Sequence, residues 1–295
     1  MLKTYLDKLK TDPVWRSNAI KLLFALPIII TLGLFFSDDS DEYAQMGNAN
    51  YAANPTAPHC AADSLDGDAG ATNGEESPDG IKYNVRTPLN YDPTIGHALL
   101  MVYAPASANR AKTEKLTGLT LAATSAGFII AYADHPPLSP TTTVQLGSIP
   151  GLIAKKWCID PQRVALTGHS DGGTSAMALA FMAGTRQIPK AIAPSAAGID
   201  YQDLRDRKCP NPIPVMIMHS SKDHLFPKYG QQASGWWAAC NKCDPIPEKI
   251  GNGCMAYTSC ANGVKNWYCE GDKPHAQWPG INAALMEFLA NGGYK

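Results

Sequence analysis

The stretch Arg163–Phe181, RVALTGHSDGGTSAMALAF, decides how this chain folds. RVALTG is a short apolar run of strand type, TSAMALAF is built from small helix-forming residues, and glycines with Ser170 lie at the junction. Gly168-His169-Ser170-Asp171-Gly172 matches G-x-S-x-G. A strand running straight into a helix through this pentapeptide forces the serine into a strained, exposed turn. Gly168 and Gly172 permit a backbone approach that a Cβ would block, and Gly173, Ala176 and Ala178 continue the close packing. The start of the following helix offers free N–H groups and the positive end of its dipole to a developing oxyanion, with the Asp171 N–H as the natural donor.

On either side of this junction, strand-like and helix-like segments alternate. GIKYNVRTP, HALLMVYAP and GFIIAYAD read as strands, with LTGLTLAATSA helical between the last two. VQLGSIPGLIAKKW is a further helix, although Gly147, Pro150 and Gly151 argue against a regular first half. After the central helix come strand KAIAP, strand PVMIMHS, helix YGQQASGWWAAC, strand VKNWYCEG and helix INAALMEFLA. That order predicts an α/β class fold, a mainly parallel sheet with helices on both faces, whose functional groups gather at the carboxyl ends of the strands.

A nucleophilic serine needs a base, and the base needs an orienting carboxylate. The expected chain order for this turn is serine, acid, histidine, each of the last two in a loop after a later strand. Asp223 follows PVMIMHS and His275 follows the last strand. Of the seven histidines, His59 precedes the body, His97 begins a strand, His135 follows a different strand, and His169 is inside the pentapeptide. His219, His224 and His275 remain, and His275 alone follows the final strand. Asp272 is the alternative acid, too near His275 in sequence for the usual topology. A second oxyanion donor is expected in the loop after ALLMVY, where Pro105 has no N–H and Ala106 is the candidate.

The 295 residues are 45% hydrophobic, enough for one large core, and a formal net charge of −1 gives no electrostatic reason to bind nucleic acid. LLFALPIIITLGLFF, residues 22–36, follows lysines and an arginine and precedes a group of acids, which predicts a cytoplasmic N-terminus and an exported body. As a helix it spans about 22 Å, short of the ~30 Å hydrocarbon core, so residues 1–36 read as a signal peptide or as a signal anchor helped by snorkelling of Lys21. Residues 37–80 contain ten acidic residues and no lysine or arginine, the composition of an acidic disordered tether. Residues 81–295 form the expected catalytic domain.

The eight cysteines, Cys60, Cys158, Cys209, Cys240, Cys243, Cys254, Cys260 and Cys269, are an even set in a chain that reads as exported. They predict disulfides and a stapled C-terminal lobe, in preference to the zinc site or redox pair that Cys240-x-x-Cys243 imitates. Trp236, Trp237 and Trp278, close to the candidate residues in sequence, are candidates for a flat surface contacting substrate. No metal and no organic cofactor is expected.

CIDPQRVALTGHSDGG, HSSKDHLFP and PHAQWPG together resemble the strand and serine turn, the acid loop and the histidine loop of the secreted α/β-hydrolases that include feruloyl esterases and extracellular polyhydroxybutyrate depolymerases. The resemblance covers about Gly80 to Lys295. It implies an α/β-hydrolase fold with nucleophile Ser170, acid Asp223 and base His275, acting outside the cytoplasm on a small or oligomeric ester or on a polyester. Three departures stand out: Ser220 replaces the usual glycine after His219, one extra residue separates His275 from Trp278, and Tyr103-Ala104-Pro105 replaces the usual H-G oxyanion segment. A serine peptidase on the same fold is the competing enzyme reading. A membrane-tethered hydrolase-fold binding protein without activity would be expected to lack one of the residues that are present here.

Overall fold

Four of the apolar runs become strands with every residue buried: β3 (His97–Tyr103), β4 (Ile129–Ala133), β6 (Ala191–Ser195) and β7 (Val215–Ser220). Burial on both faces is the signature of a covered parallel sheet. The structure is a computed structural model that describes residues 45–51, 58–61 and 65–290. The proposed signal segment, residues 1–36, lies outside the described residues. Among the described residues, no helix is long and apolar enough to cross a membrane.

The sheet has ten strands in the order β1-β2-β4-β3-β5-β6-β7-β10-β9-β8. β1 (Ala71–Glu76), β2 (Lys82–Arg86), β5 (Ile159–His169), β8 (Glu248–Gly251), β9 (Cys254–Tyr257) and β10 (Asn266–Gly271) complete it. The central six, β4 to β10 in that order, are parallel, and antiparallel pairs close each flank. Seven helices accompany the sheet among the described residues: α1 (Arg110–Thr117), α2 (Thr120–Ser125), α3 (Pro140–Ile153), α4 (Asp171–Phe181), α5 (Tyr201–Leu204), α6 (Tyr229–Cys240) and α7 (Asn282–Ala290).

Alternation along the strands splits the core in two. Leu99 and Met101 of β3 face a cluster with Ile149 of α3, Met177 of α4 and Trp237 of α6, while Leu100 and Val102 face Ala123 of α2 and Leu285 and Phe288 of α7. Helix α3 is continuous, contrary to the expectation for its first half. Ser139 and Thr142 form a reciprocal cap at its start. Pro150 cannot donate to the Leu146 carbonyl four residues earlier, and the buried Tyr103 hydroxyl donates to that carbonyl instead, at 3.3 Å.

The expectation of a free tether over 37–80 is corrected for its described residues, and with it the domain boundary at 81. β1 pairs with β2, Cys60 is bonded to Cys158, Gly67 N–H donates to the Lys156 carbonyl, and Trp157 Nε1 donates to the Asp68 carbonyl. The described residues, from Gln45 onward, belong to one compact unit. Composition alone underestimates such a segment, because ladder hydrogen bonds and a covalent staple replace the apolar burial it lacks.

The remaining pairs are Cys209–Cys240, Cys243–Cys260 and Cys254–Cys269, so all eight cysteines are bonded and the zinc-like spacing resolves into disulfides. Cys254 and Cys269 are also register partners in the β9–β10 pair, so this bond staples the lobe to the strand that leads toward His275.

Candidate active site

The turn between β5 and α4 is as tight as the sequence demands. Ser170 has φ 55° and ψ −117°, and its N–H donates to the Ser195 carbonyl at 3.0 Å. A Cβ on Gly172 would stand 2.0 Å from the Tyr103 oxygen and 2.9 Å from the Ala104 oxygen, and one on Gly168 would stand 2.5 Å from the Gly172 carbonyl carbon. The end of β3 therefore seats directly on the first turn of α4, a contact that only glycine allows.

Asp223 follows β7 and is almost completely buried. Its Oδ1 accepts from the Leu225 and Phe226 N–H groups, both at 3.0 Å, and its Oδ2 accepts from His275 Nδ1 at 2.8 Å. The Ser170 hydroxyl meets His275 Nε2 at 2.9 Å. With Nδ1 donating to the carboxylate, Nε2 is left as the acceptor for the serine proton. Burial pushes the Asp223 carboxyl up, but the hydrogen bond and charge of His275 and the Phe226 N–H outweigh it and hold the group below its ordinary value. His219, whose Nε2 donates to the Phe226 carbonyl at 3.0 Å, fixes the same loop from the other side and is kept neutral chiefly by burial.

Asp171, the first residue of α4, has an N–H without an intrahelical acceptor. Ala106 occupies the second position of a turn closed by Ala108 N–H to the Pro105 carbonyl at 3.1 Å, with Ser107 at φ 63°. In such a turn the second residue's N–H is not used internally. The alternatives for acid and base lie elsewhere: the Asp272 side chain is 68% exposed between Lys222 and Lys273, His135 pairs with Asp171 Oδ2 at 2.9 Å, and His224 is exposed.

The tryptophan expectation is corrected. Trp236 and Trp237 pack edge to face within the core, 9% and 0% exposed, because α6 turns that face toward β7 and β10. Trp278 is 6% exposed; its Nε1 donates to Asn282 Oδ1 at 2.6 Å, and Asn282 donates in turn to the Thr117 carbonyl. It secures the His275 loop and presents no open stacking face. The aromatic side chain that does meet the site is half-buried Phe226, edge-on to the His275 ring at 4.9 Å and stacked on Tyr229 at 5.3 Å. Its place three residues after Asp223 is the sequence cue that could have singled it out. Among the described residues, no group of three or more His, Cys, Asp or Glu is arranged to hold a metal ion.

No family profile matches the chain. Feruloyl esterase B of Piromyces equi is 25% identical over 223 residues, which cover 64% of this chain and 41% of that protein. An acetyl xylan esterase from Aspergillus awamori superposes with a TM-score of 0.53 at 16% identity, over 75% of this chain and 99% of that one. A fluorophosphonate-binding serine hydrolase of Staphylococcus aureus gives 0.52 at 13% identity, over 76% and 100%. The fold is that of the α/β-hydrolases. Within this fold, Ser170, Asp223 and His275 sit in the loops that follow three parallel strands, β5, β7 and β10, and the chain spans about two fifths of the curated relative it matches.

Proposed function

We propose that the chain is a serine carboxylic ester hydrolase acting outside the cytoplasm through a triad of Ser170, His275 and Asp223. The observation that carries the proposal is the unbroken series Ser170 Oγ, His275 Nε2 and Nδ1, Asp223 Oδ2, at 2.9 and 2.8 Å. As Ser170 Oγ bonds to the ester carbonyl carbon, His275 Nε2 takes its proton and Asp223 stabilises the imidazolium. The oxyanion is received by the N–H groups of Asp171 and Ala106. Collapse breaks the bond to the alcohol, which takes the proton from Nε2, and water then releases the acid from Ser170 by the same sequence.

The names feruloyl esterase and acetyl xylan esterase borne by the relatives support an ester of a small or oligomeric substrate; a polyester is the second member of this substrate class. Phe226 replaces the tryptophans as the proposed apolar contact beside the base. Four disulfides support action in an oxidising compartment. The test is a panel of feruloyl, acetyl, short aliphatic and polyester substrates run beside a peptide panel, with Ser170→Ala as control. Ester turnover lost in the variant supports the proposal; turnover of peptides alone overturns it in favour of a peptidase.

A further inference from the structure

We infer that His169 is a positioning residue that ties the main chain of the His275 loop to the serine turn, donating from Nε2. The inference rests on the proposed roles of Ser170 and His275. Three hydrogen bonds run in series between residues 105 positions apart in sequence. Ser170 N–H donates to the Ser195 carbonyl at 3.0 Å, Ser195 Oγ meets His169 Nδ1 at 3.0 Å, and His169 Nε2 meets the His275 carbonyl at 2.6 Å.

The chemistry of the atoms fixes the direction of each bond. A carbonyl can only accept, so Nε2 carries the hydrogen. In a neutral imidazole Nδ1 is then an acceptor, and the Ser195 hydroxyl donates to it. His169 is buried, and its pKa is lowered to about 4, first by burial and then by the neighbouring His275. The ring therefore stays neutral while His275, 5.5 Å away centroid to centroid, gains its positive charge.

One peptide bond joins His169 to Ser170, so the imidazole moves with the nucleophile's turn. By holding the His275 carbonyl it sets the separation of Nε2 from Oγ across two loops that no disulfide joins. A site of this kind tolerates about 0.5 Å of misplacement, and ~1 Å costs about 100-fold in rate. A core histidine that merely satisfied its own polar atoms would leave turnover unaffected once the fold was intact.

The test uses the oxidised full chain, p-nitrophenyl acetate as substrate and a fluorophosphonate as covalent probe. His169→Phe removes both hydrogen bonds, and kcat and the labelling rate should fall about 10- to 100-fold with KM changed less than about twofold. His169→Gln keeps an N–H donor at similar reach and should recover most of the loss. Ser195→Ala, which leaves the ring in place but frees its tautomer, should fall between wild type and His169→Phe. A folded His169→Phe with wild-type kcat, or His169→Gln as impaired as His169→Phe, overturns the inference. If His169→Phe does not fold, imidazole ¹⁵N spectra of the wild type near pH 6 decide: a neutral Nε2–H ring supports the chain of bonds, and a protonated or Nδ1–H ring refutes it. A wild type inert to esters and probe would refute the esterase proposal, while the tautomer measurement would still decide the role of the bond chain.

Discussion

At Ser170 the backbone holds a conformation that costs a non-glycine residue about 1–3 kcal/mol, and the surrounding hydrogen bonds over-determine it. Among the groups that meet there, Asp223 has a titration that links stability to pH. A carboxylate held below its ordinary value contributes stability above the unfolded pKa of ~4, and that contribution is lost as pH falls through the lower folded value. Asp223→Asn removes the contribution, so its denaturant midpoint should lie below the wild type's at pH 7 and approach it near pH 3. The same variant favours the wrong His275 tautomer and should lower kcat by about 10³- to 10⁴-fold; a kcat within tenfold of wild type would exclude Asp223 as the orienting acid. Ala106→Pro deletes one N–H at a turn position whose backbone suits proline, and should cost about 100- to 1,000-fold in kcat with the fold retained. Unchanged turnover would remove Ala106 from the oxyanion site. The convergence of Ser170, Asp223 and His275 on one another was legible in the sequence because each follows a recognisable strand in the expected order. The tryptophans misled because their sequence position says nothing about which face of α6, or which side of the His275 loop, they occupy.

Helix α1 is joined to β2 by a bidentate ion pair, Arg86 Nε and Nη2 to the two Glu114 oxygens at 2.8 Å each, with Thr120 Oγ donating to the same carboxylate at 2.9 Å. Both side chains are buried, so removing Glu114 takes two charge-assisted hydrogen bonds from a guanidinium that water does not reach. Glu114→Ala should destabilise the protein by about 3–5 kcal/mol in denaturant unfolding; a loss under ~1 kcal/mol would contradict the buried pairing. Neither α1 nor this pair was legible, since RAKTEK has no apolar stripe and its helix is held by a polar contact and by the Asn109 cap. β8 and β9 escaped for a related reason: they are short, β8 is exposed and β9 mostly half-buried, and the Cys243–Cys260 and Cys254–Cys269 bonds do the work that an apolar face does elsewhere. The four strands with every residue buried, β3, β4, β6 and β7, were visible as apolar runs.

Across the whole molecule, the acidic segment and the sheet behave as one unit because Cys60–Cys158 closes a span of 98 residues, a constraint worth up to about 4.7 kcal/mol in the chain-entropy account. Replacing both cysteines with serine should expose residues 45–80 to limited proteolysis at a rate at least tenfold above that of the oxidised wild type; equal rates would mean that β1 pairing alone holds the segment. Its composition pointed to a tether because the energy that anchors it is covalent and backbone-borne, terms that hydrophobicity does not record. The alternation of strands and helices, by contrast, is enough to gather three loops at one edge of the sheet. That convergence is tested most directly by mapping where a fluorophosphonate attaches. Intact-mass and peptide analysis should find one adduct per chain on Ser170, none in Ser170→Ala, and attachment slowed by several orders of magnitude in His275→Ala; an adduct on another residue, or labelling that persists in Ser170→Ala, would contradict the account.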